Sequence, residues 1–76
     1  MNTPDRKEIG AWLEQLEEIK SQLEEKLNDL QGRAENIPEA MEERRSQADE
    51  QNEALEQGLS DLETAIESIQ ESIGGA

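Results

Sequence analysis

Pro38 stands at the midpoint of the chain, and on either side of it apolar residues recur in alternating steps of three and four. The first series is Ile9, Leu13, Leu16, Leu23, Leu27, Leu30 and Ala34, with Lys20 filling the gap in the spacing. The second is Met41, Arg45, Ala48, Asn52, Leu55, Leu59, Leu62, Ile66, Ile69 and Ile73, in which Arg45 and Asn52 are polar. Such steps hold one stripe on the side of an α-helix, so each half reads as a heptad-patterned helix. Leu13, Lys20, Leu27 and Ala34 take position a in the first half, and Ile9, Leu16, Leu23 and Leu30 take d. Arg45, Asn52, Leu59, Ile66 and Ile73 take a in the second, and Met41, Ala48, Leu55, Leu62 and Ile69 take d.

A single helix running through Pro38 would cost about 3 kcal/mol, and proline also disfavours helix at Ile37 before it. Proline is well suited to a first helical turn, and Asn36 with Glu39 has the spacing of a capping box. Thr3-Pro4 reads as an N-cap and first helical residue, and Gly74-Gly75 as a stop. The pattern therefore predicts an all-α fold: one antiparallel helical hairpin, a coiled coil, over residues 1–76. Its parts are a helix over about 4–34, a turn over about 35–38 and a helix over about 39–73. Aligned about that turn, Leu13 faces Leu62, Leu16 faces Leu59, Lys20 faces Leu55 and Leu23 faces Asn52. Leu27 then faces Ala48, Leu30 faces Arg45 and Ala34 faces Met41. Lys20 and Arg45 extend along the seam and keep their charges wet. Asn52 either does the same or fixes the register.

The chain carries 20 acidic and 7 basic residues, a net charge of −13, with no cysteine, no histidine and one aromatic residue, Trp12. Low hydropathy and high charge are also the signature of disorder, but regular apolar spacing argues for helices. Zinc sites and nucleophilic triads lack their ligands and bases, and no phosphate-binding glycine loop or calcium loop occurs. The expectation is therefore no enzyme, no catalytic residue, no cofactor and no metal. The excess negative charge disfavours nucleic acid and anionic membrane as direct partners and favours a basic protein. Without a leader-like apolar run or a membrane-spanning one, a cytoplasmic location is expected.

The two edges of the hairpin differ. The e rows, Gly10, Glu17, Glu24 and Gln31 against Glu42, Asp49, Glu56 and Glu63, hold no basic residue. In the register above Glu17 lies near Glu56 and Glu24 near Asp49, and outward Glu18 and Glu25 thicken the wall. Glu17, Glu18, Glu24, Glu25, Asp49, Glu56 and Glu63 are the candidate partner-binding residues. The g edge instead carries Trp12, Ile19, Lys26 and Arg33 against Arg44, Gln51, Gly58 and Ala65. Trp12 opposite Ala65 and Ile19 opposite Gly58 make an apolar stripe near the open end. A lone hairpin buries little, because ordering entropy roughly cancels its hydrophobic gain. A homodimer through Trp12, Ile19, Gly58 and Ala65, forming a four-helix bundle, is expected.

The segments "NIPEAMEE" and "LETAIESIQESI", within about residues 36–73, resemble small acidic helical proteins encoded by bacteria, phages and mobile elements. The layout is similar to phage-encoded acidic inhibitors of host defence. That resemblance implies an inhibitor without naming its target; the base-free e rows predict an acidic protein-binding module that occludes the basic nucleic-acid groove of a host nuclease or defence enzyme, of the anti-CRISPR or anti-restriction type. The alternative is a structural or assembly adaptor that oligomerises through its apolar g edge, with the acids serving solubility.

Overall fold

The computed structural model describes residues 1–74 as two long helices folded back on each other. Helix α1 spans Thr3–Glu35 and helix α2 spans Glu42–Gly74, and the hairpin measures 59 × 15 × 11 Å. The first helix is capped one residue earlier than the Thr3-Pro4 reading placed it. Asn2 is the N-cap, its side chain accepting from the Asp5 N–H at 2.8 Å, and Pro4 sits inside the first turn where no donor is missed. Gly74 is the last helical residue of α2; Gly75, the second half of the expected stop, lies outside the described residues.

The reversal is longer than the expected turn over 35–38. The end of α1 tightens as the Asn36 and Ile37 N–H groups donate to the Arg33 and Ala34 carbonyls, both at 3.2 Å. Pro38 is extended at φ −60° and ψ 146°, as its ring and missing donor favour outside a helix. A single 3-10 turn, Glu39–Met41, follows, with the Met41 N–H donating to the Pro38 carbonyl at 2.9 Å. Pro38 itself caps that turn and no side chain caps it, so Asn36 closes α1 and the capping box with Glu39 does not form.

This longer turn moves the helices by one heptad relative to the register aligned between Ile37 and Pro38. Three contacts across the seam show it. Lys20 Nζ lies 3.8 Å from Glu63 Oε1. Gln70 Nε2 donates to Glu17 Oε1 at 2.7 Å. A Cβ placed on Gly10 would meet Ile73 Cδ1 at 3.9 Å. In the shorter-turn register each of these pairs would be separated by about two helical turns or more along the axis, beyond side-chain reach. The slide keeps a opposite d and brings Ile73 beside Ile9, Ile69 opposite Leu13, Ile66 opposite Leu16 and Leu62 opposite Lys20. Leu59 then faces Leu23, Leu55 faces Leu27, Asn52 faces Leu30 and Ala48 faces Ala34. Two isoleucines that would have overhung the open end gain apolar neighbours, and Arg45 leaves Leu30 for the turn end, opposite Ile37.

Burial along the seam is one-sided. Leu13, Leu27, Ala34, Asn52, Leu59 and Ile66 are buried, and all six occupy a positions. The d residues Ile9, Leu16, Leu23, Leu30, Ala48, Leu55, Leu62 and Ile69 are half-buried, and Met41 is exposed. Around a helix, position a borders e and position d borders g. Both helices are therefore rolled toward the e edge, which closes the seam there and opens it on the g side.

Candidate interaction surfaces

The acidic surface is built on the closed edge. Glu17, Glu18, Glu24, Glu25, Asp49, Glu56 and Glu63 are all exposed, carried on the e and f positions of two helices held rigid by the a-residue seam. The heptad slide changes who faces whom. Glu17 now lies opposite Glu63 and Glu24 opposite Glu56, in place of the expected Glu17–Glu56 and Glu24–Asp49 pairs, while Gln70 donates to Glu17 and Lys20 reaches both Glu24 and Glu63. Like charges therefore still face each other in the open half, with an amide and an ammonium group that the e-row reading left out set among them.

Lys20 is the decisive correction to an unbroken carboxylate wall. Its stem lies in the seam and its ammonium emerges on the e edge, 3.2 Å from Glu24 and 3.8 Å from Glu63. The hydrogen bond to Glu24 holds its pKa above the ordinary 10.5; partial desolvation opposes this, and the fields of Glu24, Glu63 and Glu17 add to it. Glu17, Lys20, Glu63 and Gln70 line one shallow groove on this edge, and Glu39, Glu42, Arg45, Ser46 and Asp49 line another nearer the turn. Each groove places one long basic side chain from an a position among carboxylates. The sequence signal for both was present: a lysine or arginine at a seam position must reach water past one edge, and the neighbouring e row is the acidic one. Among the described residues no three acidic side chains converge closely enough to hold a metal ion.

The opposite face is apolar and open. Trp12 is 53% exposed and Ile19 48% exposed, flanking the half-buried Leu16, Leu23, Leu62 and Ile69. After the slide, the g-edge neighbours are Trp12 with Ser72, Ile19 with Ala65 and Lys26 with Gly58, replacing the expected Trp12–Ala65 and Ile19–Gly58 pairs. A Cβ built on Gly58 would meet nothing within 4 Å, and Ala65 is exposed. Toward the open end, large g residues thus stand along α1 and the small Gly58, Ala65 and Ser72 along α2. Toward the turn this face becomes basic, with Lys26, Arg33 and Arg44 exposed and Arg33 paired to Asp29 at 2.9 Å.

No protein-family model matches the chain, and no curated protein or solved structure matches it significantly. No described helix is long and apolar enough to cross a membrane.

Proposed function

We propose that this hairpin is a non-catalytic acidic binding module whose e edge occupies the basic groove of a nucleic-acid-binding enzyme, in the manner of a phage or mobile-element inhibitor. The observation that carries the reading is the placement of charge. Seven exposed carboxylates from both helices share one edge of a rod 59 Å long, while Lys26, Arg33 and Arg44 are kept on the other. A net −13 over that length is about one charge per 4.5 Å, against about one per 1.7 Å of DNA duplex axis. Two helices carrying parallel rows of carboxylate imitate two phosphate strands. The embedded Lys20 and Arg45 break each row, so such a mimic selects a groove with local acidic or hydrogen-bonding contacts as well as basic ones.

The test is retention of a partner from bacterial lysate on the immobilised protein, eluted over a salt series and challenged with excess duplex DNA. The reading expects a nucleic-acid enzyme that DNA and salt displace. It also expects loss of binding, with helicity kept, when Glu17, Glu24, Asp49 and Glu56 are all reversed to lysine. A partner that ignores salt, DNA and that reversal overturns it. The adaptor reading is favoured by a different observation, the half-buried d rows beside exposed Trp12 and Ile19. It expects the retained partner to be lost on Trp12→Ala instead.

A further inference from the structure

We infer that a second copy of this chain covers the open d/g face, with the two-fold axis along the rod, so that α1 of each copy packs on α2 of the other. The need for a cover follows from area. The chain exposes 5856 Å², whereas a compact monomer of 8.6 kDa exposes about 4,700 Å². The excess of roughly 1,100 Å² is somewhat more than the ~800 Å² that each partner contributes to a standard interface. Among the described residues even the buried seam side chains keep some exposure to water, so the seam alone leaves its core unfinished.

The identity of the cover follows from shape and charge. The exposed face is apolar at the open end, and its rim carries the neutral Gln15, Gln22 and Ser68 with the exposed Glu8 and Asp61 in the same rows, which suits a largely apolar partner surface. The chain itself supplies one of matching length. Two pairings with closed symmetry exist for two such faces. If α1 lay on α1, Trp12 and Ile19 would stack large on large while Gly58 and Ala65 left a void on the other side. If α1 lies on the partner's α2, the axis along the rod fixes zero offset. Trp12 then meets Ser72, Ile19 meets Ala65, Lys26 meets Gly58 and Arg33 meets Gln51, a larger side chain on a smaller one at every layer. Neighbouring helices all run antiparallel, and the d residues of both hairpins meet at the centre as in a four-helix bundle. Both acidic edges then face outward on opposite sides. The charge doubles over the same 59 Å, to about one per 2.3 Å, approaching the duplex value of about 1.7 Å. The packing inference stands whatever the acidic edges bind.

The test uses the absence of cysteine from the chain. Light scattering after size exclusion at tens of micromolar is expected to give twice the 8.6 kDa chain mass; the monomer mass overturns the inference. Ile19→Cys and Ala65→Cys chains are then prepared separately and treated with a short bis-maleimide. Equal mixing is expected to give a covalent dimer, while either variant alone gives little. Efficient linking of Ile19→Cys to itself, or no linking in the mixture, overturns the arrangement. Unchanged helicity of each variant shows that the hairpin is intact.

Discussion

Asn52 is 9% exposed at an a position in the middle of α2, opposite Leu30. Its replacement by leucine tests the seam directly. Nine-tenths burial of a leucine side chain is worth roughly 1.5–3 kcal/mol. The amide at this position gives up water to occupy the seam, and whatever hydrogen bonds it keeps return about 1 kcal/mol. Leucine is also the better helix former. The net expectation for Asn52→Leu is a gain of about 2 kcal/mol. For a chain of this size each kcal/mol moves the melting midpoint by about 4–8 °C, so the shift is about 8–16 °C upward. The assay is thermal unfolding followed by circular dichroism at 222 nm, with both proteins at one concentration because the proposed dimerisation would make the midpoint depend on it. A midpoint that stays put or falls would show that the amide holds the seam together, and would refute the treatment of this layer as an apolar site occupied at a cost.

Three further outcomes follow from the geometry. Gly32 has a helical backbone and open space where a Cβ would stand, so Gly32→Ala should stabilise by about 1 kcal/mol through helix propensity alone; urea titration reads it as a higher midpoint at constant slope. Ile73→Ala should destabilise by about 1 kcal/mol because Ile73 packs at the open end near Gly10, whereas in the shorter-turn register it would overhang and its loss would be silent. Lys20 has a folded pKa raised above 10.5, so its pairing with Glu24 and Glu63 stabilises fully below that value and is lost as pH climbs through the folded pKa. The gap in melting midpoint between the wild type and Lys20→Gln should therefore close between about pH 9 and pH 12, and a constant gap would count against the pairing.

Much of this architecture is written in the heptads. The a and d spacing of Leu13 through Ala34 and of Asn52 through Ile73 dictates two amphipathic helices, and Pro38 dictates where they part. What the spacing leaves open is which heptad meets which, because a slide of seven residues returns every a to a d. The turn makes that choice, and its length depends on Pro38 capping a 3-10 turn instead of α2 itself, a local competition that residue types in 36–41 do not reveal. The difference between a and d burial is likewise invisible to a two-letter pattern, since it reflects how far each helix rolls about its own axis. The acidic edge was legible as composition. Its interruption by Lys20 depends on the register, and so shares the register's ambiguity.

The hairpin also sets an order in which it must close. Residues flanking Asn36–Met41 meet across a short stretch of chain, whereas Gly10 and Ile73 are brought together only when nearly the whole chain lies between them. Loop-closure entropy rises with that separation, so the zipper starts at the proline turn and the free ends join last and part first. Trp12 and Ile19 sit at that late-closing end. A partner that grips them acts as a clasp on the segment most prone to open. Association and the final step of folding are then one event, and protection of backbone amides near Leu13 and Ile69 should rise with protein concentration while those near Ala34 and Ala48 change little.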